Sequence, residues 1–201
     1  MDVHYPTQPR AMASAQIREM RRNMLRAPHI GPLTAYCEKL ELDGLGEVPR
    51  FDPLDGGIHA RVLYLLEKPG PKTSRNGDKG SGFISRDNND PSAAHSFGFH
   101  LESGIPRSES LLWNIMPWWD GRIAFTSAQR RLGIERLHEL LAILKQLDTI
   151  VLVGGTAHKA ESALADRGIR ILKSWHPSMR VKNSYREKYD SIPGVWKLAQ
   201  R

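Results

Sequence analysis

Apolar residues along this chain fall into short unbroken runs and longer helical patterns, and the two alternate. Ala60–Leu66 (ARVLYLL) is apolar but for Arg61, the signature of a strand buried on both faces. Ser110–Met116 reads as a second strand, ended by Pro117. Asp148–Val153 (DTIVLV) reads as a third, ended by Gly154 and Gly155, and Gly168–Leu172 (GIRIL) as a fourth. Helical patterns fill Pro91–Glu102, Ser127–Leu147 and Thr156–Arg167. A polar, glycine-rich loop covers Glu67–Asp90. Strand alternating with helix predicts an α/β fold. The expectation is a three-layer α/β/α arrangement around a central, mostly four-stranded parallel sheet, connected right-handedly.

Before this core, Ser14–Leu25 places Ile17, Met20, Met24 and Leu25 at helical spacing among arginines, with Ser14 as N-cap. The reading is a basic amphipathic helix packed on the domain with its basic face solvated; contact with DNA is the alternative. A second short helix covers Leu33–Leu40, and Gly44–Gly57 reads as a loop. Residues 1–58 are therefore expected to be a helical extension packed on the core. Residues 59–201 form the α/β domain, with the tail from Arg180 helical in part.

Composition narrows the partners. A chain of 201 residues suits one globular unit, and 25% charged with 40% hydrophobic residues argues against wholesale disorder. The net charge of +7 favours a polyanionic partner. The single cysteine, Cys37, excludes an internal disulfide and any multi-thiolate zinc or iron–sulfur site, and fits a reducing, cytoplasmic home. No apolar run approaches the ~20 residues of a membrane span. Met1–Arg10 is polar and reads as neither signal peptide nor anchor. A monomer is expected.

In an open parallel sheet the ligand sits beyond the carboxyl ends of the strands. That rule selects Glu67–Pro71, Asn114–Trp118, Gly154–Thr156 and Ser174–Arg180. The first holds a rigid Pro-Gly turn. A P-loop does not fit it, because Gly70 and Gly77 are too far apart and Asp78 follows. In the second, Asn114 can donate and accept together and so read an amide-like edge such as a pyrimidine; a turn-capping Asn is the plainer reading. Trp113, Trp118 and Trp119 are core or cleft rim, with at least one in the core. The fourth fixes His176 between Trp175 and Pro177. There Ser178 and Arg180 suit a phosphate, and Met179 suits a wedge in a base stack.

Taken together, these segments resemble the uracil-DNA glycosylase superfamily. Leu66-Glu67-Lys68-Pro69-Gly70 is similar to its first-strand motif, commonly Gly-x-(Asp/Asn/Ala)-Pro-(Gly/Tyr). Phe83 best matches the aromatic that stacks on the flipped base, Asn114 the base-reading Asn, and His176-Pro177-Ser178 the His-Pro-Ser motif. The resemblance covers about Arg61 to Lys182 and is closest to the iron–sulfur branch, whose cluster cysteines this chain lacks. It implies a DNA glycosylase that flips a deaminated base, uracil foremost, hydrolyses its N-glycosidic bond and leaves an abasic site, with no metal or organic cofactor. His176 would be the N–H donor to the departing base and Glu67 the water-orienting or cation-stabilising carboxylate. Asn114 and Phe83 would hold the base, and Pro69 and Gly70 would shape the pocket. Lys68, Ser178, Met179, Arg180 and Lys182 would face DNA. Lys68 and Leu66 depart from the motif. Lys68 stands where the best-known members carry the water-positioning Asp, and an ammonium cannot accept a hydrogen bond. Either Glu67 or Asn114 handles the water, or the rate is lower, or the substrate differs. Lys68 itself reads as a phosphate contact, with a lyase nucleophile as the sharper alternative.

Other readings stay open. Asp87-Asn88-Asn89-Asp90 is oxygen-rich and could bind Mg²⁺ in a nuclease, or form an Asx-rich turn capping the helix near Ser92. The basic surface also suits a nucleic-acid-binding module without catalysis, or a member acting on hypoxanthine or xanthine.

Overall fold

The structure, a computed structural model, describes residues 7–75, 80–165 and 168–200. Strands β2 (Val62–Leu66), β4 (Ser110–Asn114), β5 (Thr149–Val153) and β6 (Arg170–Ser174) form one parallel sheet in the order β4-β2-β5-β6. Two shorter strands, β1 (Arg50–Phe51) and β3 (Phe83–Ile84), pair in parallel beside it. Helices α1 (Ala15–Asn23) and α2 (Gly31–Glu41) precede the sheet; α3 (Pro91–Ser103) and α4 (Ser127–Ile143) are the long connections within it. Short helices follow: α5 (Gly155–His158), α6 (Glu161–Leu164), α7 (Met179–Ser184), α8 (Arg186–Asp190) and α9 (Ile192–Lys197). No helix among the described residues is long and apolar enough to cross a membrane.

Register explains the layers. Tyr64 pairs with Leu112, and Leu65 with Trp113, so alternate residues of both strands point to opposite faces. On one face Tyr64 meets His100 of α3 and Trp196 of α9. On the other, Trp113 stacks on Phe51 at 3.9 Å and tilts against Tyr36 of α2. Ile30, Leu33, Cys37 and Leu40 around α2 enter the same core as the sheet. Trp113 and Trp118 are both buried there.

Several elements differ from the sequence expectation: the loop expected over Gly44–Gly57 holds β1, that over Glu67–Asp90 holds β3, the second strand ends at Asn114 and the longest helix at Ile143. The fourth strand starts two residues later, because Gly168 turns the chain through a positive φ of 66° and delays the pairing. The helix expected over Thr156–Arg167 breaks into α5 and α6; its final residues, Asp166 and Arg167, lie outside the described residues. The break follows His158, whose Nε2 is tied to the Ser174 carbonyl at 2.9 Å. In α1, Ser14 caps as expected, accepting from the Ile17 N–H. Its basic face, however, is not wholly solvated: Arg21 is 0% exposed and bonds Asp52 and Asp87, the latter at 2.8 Å.

Candidate active site

A cavity of about 440 Å³ opens at the carboxyl ends of β2, β4 and β6, on the α3 side of the sheet. That volume is in the range of small-molecule pockets. Leu66 and Asn114 are register partners, and the pairing continues past the strands: the N–H groups of Ile115 and Met116 donate to the carbonyls of Leu66 and Glu67 at 2.9 and 3.0 Å. This continuation fixes Asn114 beside the Pro69-Gly70 turn, and all three line the cavity. Apolar walls come from Leu66, Ile84, Leu112, Pro91 and Pro177.

Asn114 is 4% exposed, and its amide bonds to no described residue. Its polar atoms are not sealed off either, so they open onto the cavity. The imidazole of His176 also lines it and has no described hydrogen-bond partner. Burial pushes the His176 pKa below its ordinary 6.5; Glu67 and Asp90 push the other way without reversing the shift. The ring is therefore neutral at pH 7, with one N–H to donate. Beneath it lies Gly154, with φ 91°; a Cβ there would stand 3.3 Å from the His176 Cβ. The Gly154 N–H donates to the Ser174 carbonyl at 2.8 Å, holding the turn after β5 against the end of β6. The positive φ thus favours glycine, and the tight approach to His176 adds to that preference.

A larger cavity, about 840 Å³, lies at the opposite, amino ends of the strands beside Arg61, Glu109 and Gln146. Arg61 there is held by Glu109 at 2.5 Å and by the Ala199 carbonyl at 2.8 Å. Volume alone does not make it the better candidate, because its charged groups already answer one another.

The family model of the uracil DNA glycosylase superfamily matches residues 53–200. The chain belongs to this superfamily. No curated protein matches it. The superfamily is one of DNA glycosylases, generally hydrolases that act on DNA in base excision repair. The matched span includes the three strand ends around the cavity, those of β2, β4 and β6.

Against that family pattern the expected site residues divide. Asn114, His176, Pro69 and Gly70 meet at one cavity. Glu67 is not in its wall, though it is close enough to act on the His176 charge. Phe83 is a correction: it is 1% exposed and lines a separate cavity of about 260 Å³ with Thr34 and Arg50. Neighbours on β3 point to opposite sides, so Ile84 faces the Asn114 cavity and Phe83 cannot. Among the described residues, the only aromatic ring in the wall is the His176 imidazole.

Lys68 is a second correction. It lines the cavity, but its ammonium donates to Asp120 at 2.8 Å and to the Ala124 carbonyl at 3.2 Å. Burial raises the Asp120 pKa, but the hydrogen bonds from Lys68 and the Arg122 N–H together with the Lys68 charge outweigh it, so the carboxyl is held below its usual range. Lys68 therefore ties the loop after β4 to the cavity rim and does not stand free for a phosphate. Ser178 caps α7, its hydroxyl accepting from the Val181 N–H at 3.3 Å. Met179 and Arg180 are exposed beside it, and Lys182 is half-buried with its Nζ 5.6 Å from the Tyr189 ring centre.

The oxygen-rich loop is structural. Asp87 bonds Arg107 at 2.9 and 3.0 Å as well as Arg21. Asn88 Nδ2 donates to the Phe83 carbonyl at 2.9 Å. Among the described residues, no three His, Cys, Asp or Glu side chains form a metal-binding group. Asp90 caps α3, accepting from the Ser92 and Ala93 N–H groups at 2.9 and 3.3 Å. It also lines the cavity, which the sequence reading missed. The signal was available: an Asp directly before a Pro-initiated helix is a cap, and α3 packs where the sheet ends.

Proposed function

We propose that this chain hydrolyses the N-glycosidic bond of a deaminated base in DNA, uracil first, with the base turned out into the cavity, and leaves an abasic site. The observation that carries the reading is that Asn114 and His176 open onto one cavity with no hydrogen-bond partner for their side chains among the described residues. The Asn114 amide offers a donor and an acceptor, the complement of a pyrimidine's N–H and carbonyl edge. As the bond breaks, negative charge grows on the base, and a preplaced N–H at that oxygen contributes about 2.7–4 kcal/mol. His176, kept neutral by burial, is that donor. Leu66, Ile84 and Leu112 hold the base by apolar contact where an aromatic stack was expected.

Positive charge grows on the sugar, and a carboxylate must face it or the attacking water. Two are near His176. Asp90 is favoured over Glu67, because Asp90 lines the cavity and Glu67 does not. A carboxylate holds about four acceptor sites, so the two N–H bonds of the helix cap leave Asp90 room for a water. Water is the only cosubstrate, and no metal or organic cofactor enters the scheme. The working form is a monomer in the cytoplasm, where one buried thiol, Cys37, is at no redox risk.

The test is incubation of the full chain with oligonucleotides carrying uracil, hypoxanthine or xanthine, followed by alkali to reveal abasic sites. Uracil release is expected, unchanged by EDTA. His176→Ala and Asn114→Ala are each expected to lower it by at least about 10²-fold, the effect of losing one oxyanion donor. Equal rates in wild type and both variants would remove the assignment. Asp90→Asn is expected to slow release more than Glu67→Gln, and the reverse order returns the carboxylate role to Glu67.

A further inference from the structure

Trp175 precedes His176, yet its ring leaves the site. It is 37% exposed, between the His158 ring, 6.2 Å away edge-on, and the ammonium of Lys188, whose Nζ lies 4.2 Å from the Trp175 ring centre. The same Nζ lies 4.6 Å from the ring centre of Tyr185, itself 48% exposed. Two open aromatic rings thus hold one cation between them, one residue from the histidine of the cavity. Such pairing immobilises a side chain that is otherwise flexible.

The charge around it is unbalanced. Arg186 is paired with Asp190 at 2.8 Å. Lys188 forms no ion pair with a carboxylate among the described residues, and neither do Arg180 and Lys182 on α7. A cation without an acidic partner among the described residues, set on two exposed rings, is what a single nucleic-acid strand needs: a phosphate meets the cation, and bases or sugars lie on the rings, while Lys182 over the Tyr189 ring adds positive charge on the neighbouring α7. A protein partner would be met by apolar surface with charges at its rim, whereas here the cation is at the centre.

We infer that Trp175, Lys188 and Tyr185 form a DNA contact site that receives the strand beside the turned-out nucleotide, Lys188 on its phosphodiester and Trp175 against a neighbouring base. The inference rests on the proposed choice of DNA as substrate and adds a strand-holding surface outside the cavity. Because the rings preset the ammonium, the site favours an unpaired strand, whose bases are free to stack, over duplex.

The test separates this site from the chemistry by using undamaged oligonucleotides. Anisotropy titrations of the full chain against a single strand are run at several salt concentrations. Lys188→Gln is expected to lower the slope of log K against log salt by about 0.7, the loss of one phosphate contact on a single strand. Trp175→Ala is expected to weaken single-strand binding by about 5-fold or more, Trp175→Phe to restore most of it, and duplex binding to change less. DNA is also expected to quench tryptophan emission in wild type more than in Trp175→Phe. An unchanged salt slope in Lys188→Gln, or a lower melting temperature with unchanged DNA affinity, assigns Lys188 to pinning α8 and overturns the inference. Base release with no change of slope removes this site and keeps the glycosylase. A changed slope with no release from any damaged base does the reverse.

Discussion

Two polar clusters stand back to back across the loop that follows β3. Behind it, Asp52, Asp55 and Asp87 are sealed from water and met by Arg21, Arg86 and Arg107, with Ser85 donating to Asp52 at 2.5 Å. Burial alone would raise the Asp52 pKa, yet Arg107 and Arg21 hold it below its usual range. In front, Asn114 is buried and His176 half-buried, and no described neighbour bonds either side chain. Ser85 and Arg86 belong to both regions, since they line the cavity as well. The difference separates the roles: buried charges set against opposite charges make a wall, even with Asp55 Oδ2 left without a described hydrogen bond and burial pushing the Asp55 pKa up to about 6, and a buried polar group left open to a cavity waits for a ligand.

The sharpest way to break this contrast is to unbalance the wall. Arg21→Met leaves Asp52 and Asp87 short of a partner, and removing one member of a buried pair costs about 3–5 kcal/mol. Chemical denaturation is the measurement. A loss below about 1 kcal/mol would mean that the cluster is not dry. Truncation in front works the other way: His176→Ala and Asn114→Ala should leave the unfolding midpoint almost unmoved while base release falls by about 10²-fold. If either unfolds the protein as Arg21→Met does, the two regions do not differ in kind.

Gly154→Ala probes the support beneath the front region. The positive φ and the 3.3 Å approach to His176 predict a stability loss of about 1–3 kcal/mol, together with slower base release from a displaced imidazole. Wild-type stability in that variant would show that the turn relaxes freely. The smallest effect concerns pH. A neutral imidazole takes up its proton only below the folded pKa, and burial has moved that value down from 6.5. Any acid limb of kcat/KM that depends on His176 should therefore have its midpoint below pH 6.5. An acid limb centred at or above 6.5 that vanishes in His176→Ala would contradict the burial argument.

The front region was more legible in the sequence than the wall. ARVLYLL names a doubly buried strand without help, and once the sheet is parallel its carboxyl ends select Asn114 and His176. Choosing between Phe83 and Ile84 was beyond such reading. It depends on which side of a two-residue strand faces the cavity, and a segment of two residues carries no periodicity. Lys68 was hidden for a different reason, since its partner Asp120 is 52 positions away on a loop with no pattern. Arg21 was misleading: among the arginines of α1 nothing local marks the one that turns inward, because its partners lie 31 and 66 residues downstream.

That arginine bears on where this protein can be cut. The stretch recognised by the family begins at residue 53, directly after Asp52. A fragment trimmed to that border would discard α1 and α2, expose the face of Trp113 that Tyr36 covers, and leave Asp87 without Arg21. The boundary of kinship and the boundary of the folding unit therefore fall in different places, and an expression clone drawn at the first would lack part of the second.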